Sequence, residues 1–215
     1  MGDDAKTYEA PVLHGRHVYL RATMPEDYSF LRQMETSSPI AHRWRFRGAV
    51  PSPEEWAQAS SQGMLAQFMV VEQREHRPIG IVYFYNPSFQ DGFAWLAAAR
   101  FGPPDPSPLM TIGIGLGVNY AFTCWNLRKL YMEVPEYNYS QFASSAARWC
   151  EIEGHLRGHW YFDGQLWDVL TLALYRDRWM TIAPKLLAAE QPESASPDGL
   201  RGRSTTKRRV VVKYQ

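Results

Sequence analysis

Between Leu109 and Trp125 the chain runs LMTIGIGLGVNYAFTCW, with no charged side chain and with glycines at 113, 115 and 117. No other stretch limits the fold so strongly. Such a run suits a membrane span, a phosphate-binding loop or a helix buried against a sheet. It is about as long as the shortest spans, of about 17 residues, and Gly113 and Gly117 form the G-x-x-x-G of close-packed helices. Thr111, Asn119, Tyr120 and Thr123 interrupt it, however, and nothing else in the chain resembles a span. The dinucleotide pattern G-x-G-x-x-G fails at Val118, and no Gly-Lys-Ser/Thr follows to make a P-loop. What remains is a buried helix. Each interior glycine costs it about 1 kcal/mol relative to alanine, a cost offset where the glycine lets the backbone approach the sheet closely.

A chain of 215 residues makes one substantial domain and a tail. Eight Trp, twelve Tyr and ten Phe supply large rings for a packed core and argue against a disordered chain. Charge is unevenly placed. Six of the 23 Lys and Arg lie beyond Asp198, so the first 200 residues hold 17 cations against 22 acids. A body of that sign is not a nucleic-acid footprint; only the tail, with Arg201, Arg203, Lys207, Arg208, Arg209 and Lys213, could bind RNA or a ribosome. Cys124 and Cys150 form no pairing motif, which fits a reducing compartment. The polar start MGDDAKTYEA lacks the apolar core of a secretory signal. The expected location is cytoplasmic.

The elements follow from periodicity and punctuation. HVYLRATM is a strand with Val18, Leu20 and Ala22 on one face. PEDYSFLRQME opens on proline and acids as a helix with Tyr28, Leu31 and Met34 inward. SPEEWAQAS carries Ser52 as N-cap and Glu55 three residues on, a capping box. Ala66–Gln73 and Ile79–Asn86 flank the polar turn REHRP as a hairpin, and Gly92–Phe101 is a further strand. After the Leu109–Trp125 helix, Leu127–Val134 is a strand, and Ser140–Gly154 reads as a helix capped by Ser140 and closed by Gly154. Asp163-Gly164 then turns a closing hairpin. From Pro184 the composition shifts to that of a flexible basic tail, 184–215. The order β-α-α-β-β-β-α-β-α-β-β places one parallel connection inside a largely antiparallel sheet.

That order, with VYLRATMPEDYSFL, LRKLYMEVPEYNYSQFAS and EGHLRGHWYFDGQLWDVLTLALYRDRW, resembles the GNAT acyltransferase superfamily. It looks closest to the branch of the ribosomal-protein N-terminal acetyltransferases. The last stretch is the most specific, since an aromatic-Asp-Gly turn precedes Asp-Val and an apolar strand. The resemblance covers Val12–Trp179. It implies an α/β (α+β) fold: a mixed, mostly antiparallel central sheet, splayed between its fourth and fifth strands and flanked by about four helices. The acyltransferase domain would occupy 12–183. In the family, acetyl-coenzyme A or another acyl-coenzyme A lies in the splay as co-substrate and passes its acyl group directly to an amine. The acceptor is a small molecule or a protein N-terminus. The resemblance calls for neither membrane nor metal, and is compatible with a homodimer.

Carried onto this chain, the resemblance places the thioester against backbone near Leu96, Ala97 and Ala98. It places the pyrophosphate on the helix N-terminus, where Ser107, Leu109, Met110 and Thr111 offer amides. Two registers fit the family's pyrophosphate loop. One puts it at DPSPLM, with the helix starting near Leu109. The other puts it at MTIGIG and shortens the helix to about two and a half turns. The first keeps a normal helix, at the cost of placing Asp105, Pro106 and Pro108 where the family has Gln or Arg and glycine. Asn138 ends the fifth strand, and the family's tyrosine acid, seven residues later, falls at Ser145, beside Ser144. For the base, Glu133 and Glu136 flank Pro135, with Glu136 preferred by position. His42, Arg43, Trp44, Arg45 and Arg47 could grip an acidic acceptor. Cys150, His155 and His159 lack a fourth metal ligand. The chemistry read is N-acyl transfer; the alternative is a catalytically impaired scaffold whose coenzyme A site is weakened by the proline-rich loop.

Overall fold

The computed structural model describes residues 12–36, 41–102, 105–139 and 149–190. Eight strands form one sheet: β1 (Val12–His14), β2 (Val18–Ala22), β3 (Met64–Glu72), β4 (Pro78–Ser88), β5 (Phe93–Arg100), β6 (Lys129–Pro135), β7 (Glu151–Phe162) and β8 (Gln165–Tyr175). They lie in the order β1-β2-β3-β4-β5-β6-β8-β7. Every pairing is antiparallel except β5 with β6. Four α-helices lie wholly among the described residues, α1 (Tyr28–Thr36), α2 (Pro53–Ser61), α3 (Leu109–Cys124) and α4 (Arg176–Leu186), and residues 136–139 are also helical. The short β1 precedes the strand read first in the sequence, so the fourth and fifth strands expected to splay are β5 and β6.

Helix α3 answers the opening question. It starts at Leu109, as the first register requires, and packs on one face of the sheet over Leu20, Val70, Val82, Phe84, Leu96 and Leu130. A Cβ on Gly113 would stand 2.4 Å from Val70 Cγ1, and one on Gly117 3.2 Å from Val82 Cγ1. Four residues apart, both glycines face the sheet. Gly115 turns instead to α4, where a Cβ would lie 2.9 Å from Leu186 Cδ2. The glycines therefore let a helix sit nearer its sheet and its neighbour than side chains would permit. Gly113→Ala should lower the urea midpoint by the equivalent of about 1–3 kcal/mol through overpacking. Helix propensity alone predicts a gain of about 1 kcal/mol, so a raised midpoint would disprove the close contact.

No helix among the described residues is long and apolar enough to cross a membrane. The far end of α3 is closed by Arg176, whose guanidinium donates to the carbonyls of Phe122, Trp125 and Leu127. The other face of the sheet is covered by α1, α2 and the 41–48 segment over Met69, Val71, Ile81 and Tyr83. α2 is set by the predicted box: Glu55 N–H donates to Ser52 Oγ at 3.2 Å, and Ser52 N–H to Glu55 Oε2 at 2.9 Å.

Two readings need correction. Residues 151–154 do not close a helix at Gly154. They open β7, because Glu151 and Ile152 pair with Ala173 and Leu172 of β8. Nor does order end at Pro184. That proline sits in the last turn of α4, and the chain continues to Glu190, whose buried carboxylate accepts from the His17 N–H at 2.8 Å and contacts His17 Nδ1 at 2.7 Å. The remainder of the basic tail, from residue 191, lies outside the described residues.

Candidate active site

β5 and β6 pair over only three rungs, Phe93 with Lys129, Ala94 with Leu130 and Trp95 with Tyr131. Beyond them β5 stays on β4 as far as Arg100, while β6 stays on β8 as far as Pro135. The sheet opens in a wedge whose apex is the Trp95–Tyr131 rung. Phe101 N–H donates to Ile79 O at 2.9 Å, and backbone direction alternates along a strand. Ala97 and Ala99 therefore turn their amides to β4. Leu96, Ala98 and Arg100 turn theirs toward β6, where Leu96 completes the Trp95–Tyr131 rung and the amides of Ala98 and Arg100 lie beyond it, in the wedge. Of the three residues expected to meet a thioester, Ala98 presents its amide to the opening, Leu96 spends its amide on the last rung to Tyr131, and Ala97 faces away. Its amide pairs with β4 opposite Tyr83, and its side chain packs on the core beneath α1 and α2.

The start of α3 supplies further donors, though fewer than expected. Asp105 is bound to Arg100 at 2.7 Å and accepts the Ser107 N–H at 2.8 Å. These two bonds hold its carboxyl below the usual carboxylate range. Asp105 thus has its charge matched, but Ser107 spends its amide on it. Leu109 N–H donates to Ser107 Oγ at 3.3 Å, and Ile112 N–H to Pro108 O at 2.9 Å. Met110 and Thr111 keep first-turn amides with no intrahelical acceptor, at the positive end of the dipole. The Met110 side chain is held by the absence of one at Gly80, where a Cβ would stand 2.4 Å from its sulfur.

On the sheet face opposite α3, rings line the approach to the apex. Phe93 meets Tyr131 at 5.4 Å between centroids, Tyr131 meets Trp95 at 5.2 Å, Trp95 meets Tyr85 at 6.5 Å and Tyr85 meets Tyr83 at 5.9 Å. Glu133 lies two residues beyond Tyr131 on β6 and so shares this face. Burial pushes the Tyr85 hydroxyl up to about 12, with Tyr83 and the Glu133 charge contributing. Glu136 instead stands exposed in the helical turn after β6. Asn138 is half-buried in the same turn, and Ser144 and Ser145 lie outside the described residues.

The basic-aromatic segment does not present a row of free cations. Trp44 is buried. The Arg45 guanidinium stands 5.0 Å over Tyr83 and 3.4 Å from Glu35, and Arg47 lies 4.3 Å over Trp160. The His42 ring stacks on Phe162 at 3.5 Å. Glu35 itself is fully buried, receives the Trp56 indole N–H at 2.8 Å, and is pushed upward in pKa by that burial. A carboxylate in the last turn of an amphipathic helix gave no sequence signal of this role. Arg45 and Arg47 therefore each have a partner within the fold, and the Arg43 side chain lies outside the described residues.

His155 bonds Asp168 at 2.6 Å, and Asp168 also accepts the Gly158 N–H at 2.8 Å, bracing β7 on β8. Burial pushes the Cys150 thiol up to about 11. Among the described residues no three His, Cys, Asp or Glu side chains stand close enough to hold a metal. Two concavities lie elsewhere. One of 550 Å³ lies at the closed end of the sheet, where Asp91, Arg128, Tyr175 and Asp177 line it. One of 320 Å³ lies beside Tyr28, Trp56 and Ser60. Neither contains the unpaired strand amides that distinguish the wedge, so the wedge is the better candidate for group-transfer chemistry.

No protein-family model matches the chain, and no curated protein sequence matches it. Solved structures do. The spermidine N-acetyltransferase from Vibrio cholerae in complex with coenzyme A and spermine is 20% identical, with a TM-score of 0.67 over 76% of this chain and 98% of that one. RimL, a ribosomal L7/L12 alpha-N-protein acetyltransferase in complex with coenzyme A, is 15% identical, with a TM-score of 0.65 over 78% and 99%.

Proposed function

We propose that this chain, which has the GNAT fold of the coenzyme A-dependent N-acetyltransferases, moves an acyl group from coenzyme A to a primary amine. The observation that carries this reading is the three-rung pairing of β5 with β6, which ends at the Trp95–Tyr131 rung and leaves the Ala98 amide facing an open wedge. A pantetheine arm pairs with such an edge as an added strand would. The thioester oxygen takes a hydrogen bond from an edge amide, and the pyrophosphate lies at Met110 and Thr111. Glu133, on the face across from α3, accepts a proton from the incoming ammonium, directly or through one water. The freed amine attacks the thioester carbon, a C–N bond forms as the C–S bond breaks, the nitrogen gives up its second proton to solvent, and the thiolate leaves with a proton from solvent.

Titration calorimetry with acetyl-coenzyme A tests this. Micromolar binding with a 1:1 stoichiometry is expected, about −8 kcal/mol. No heat up to millimolar ligand would remove the enzyme reading and leave a scaffold. The loop favours that second outcome at one point, since Asp105 takes the Ser107 amide that a pyrophosphate would otherwise use.

A further inference from the structure

Granting acyl transfer at the wedge, we infer that the acceptor is a monoamine with a flat apolar body, of the arylalkylamine class. The strip formed by Tyr131, Trp95 and Tyr85 crosses β6, β5 and β4 and ends at the apex where the edge amides become free. All three rings are half-buried. Flat apolar groups pack on such rings in offset or tilted geometry.

Charge selects among amines. The strip is bordered by two cations, and both are already matched. Lys129 lies 4.3 Å over Tyr131 and pairs with Glu153 at 2.7 Å, and Arg45 lies 5.0 Å over Tyr83 beside Glu35. Glu153 is occupied further by the hydroxyls of Tyr131 and Tyr175, which with Lys129 hold it at about 2. Glu133 has no ion-pair partner among the described residues and stands exposed on the strip's face. One ammonium is therefore matched at the apex. A second or third, as on a linear polyamine, would lie among rings bounded by Lys129 and Arg45 with no unmatched carboxylate on the strip. Glu136, the next acid along the chain, lies past the end of β6 in solvent. A peptide amine carries a polar backbone, to which the faces of these rings offer no hydrogen-bond partner.

The test uses the full chain with acetyl-coenzyme A and three probes: phenethylamine, spermidine and a Ser-initiated tetrapeptide. Thiol release gives kcat/KM for each, and calorimetry gives acetyl-coenzyme A affinity separately. Phenethylamine should exceed the others by about tenfold or more. Trp95→Ala should raise its KM by about tenfold, and Trp95→Phe, which keeps a ring, by less than about threefold. Both variants should bind acetyl-coenzyme A as the parent does. Preference for spermidine or the peptide, an equal effect of Trp95→Ala on all three, or acetyl-coenzyme A binding without arylalkylamine turnover would each overturn this inference alone. Loss of acetyl-coenzyme A binding in the parent would overturn the acyltransferase reading beneath it.

Discussion

Glu133→Gln is expected to lower kcat by roughly a hundredfold to ten-thousandfold, the range in which positioned general bases act, with acetyl-coenzyme A affinity unchanged. The amide keeps the size of the side chain and a hydrogen-bonding oxygen, but it cannot take a proton from an ammonium. Glu136→Gln should change kcat by less than about threefold, because Glu136 sits in the exposed turn past β6 and not on the ring-lined face. Steady-state kinetics on both variants, with saturating acetyl-coenzyme A, decides the matter. If the two effects are reversed, the proton leaves toward the end of β6, and the position that sequence reading preferred is the right one.

Ala98→Pro should abolish most turnover without unfolding the protein. Proline removes one amide and fixes φ near a value that extended strands tolerate. At 98 that amide faces the wedge, so the β4–β5 ladder keeps its bonds. Losing one donor to a developing oxyanion costs about a hundredfold to a thousandfold in kcat. Ala97→Pro is the matched contrast. Its amide points to β4, so the same substitution one residue earlier breaks the sheet and lowers the melting temperature. Equal melting temperatures for the two variants would contradict the alternation, and a fully active Ala98→Pro would show that the edge amide at 98 takes no part.

The sequence carried much of the fold where local chemistry acts alone. The Ser52–Glu55 box forms as the spacing demands. The Asp163-Gly164 turn has both residues at positive φ, 51° and 78°, as a type I′ hairpin requires. The α3 start at Leu109 followed from the prolines before it. Elsewhere tertiary pairing overrode the local pattern. Residues 151–154 carry helix-compatible spacing, yet β8 recruits them as strand. β1 is three residues long, too short for any periodicity. Pro184 read as the end of order, but a proline in the last turn of a helix sacrifices only one late hydrogen bond.

The site was legible in part for the same reason. That β5 and β6 separate was implied only by the family resemblance; the helix between them predicted no more than a parallel connection. Which amides face the gap was not legible, because a one-residue shift of register exchanges inward and outward groups. The ring strip was hidden too. Phe93 and Trp95, Tyr83 and Tyr85, and Tyr131 come from three separate segments, and only the sheet's register places them side by side. Arg45 and Arg47 looked available because sequence shows charge and not partners; Glu35, Tyr83 and Trp160 are their partners in space.

The clasp between Glu190 and the β1–β2 turn also has a topological meaning. Arg16 N–H reaches Glu190 O at 3.2 Å, so the end of the described fold lies against the β1–β2 turn, and Val12 is separated from it by the length of the short β1 strand. A short Gly-Ser bridge could join 190 to 12 without disturbing the sheet. New termini could then be cut in the REHRP turn between β3 and β4, giving a circularly permuted chain of unchanged architecture.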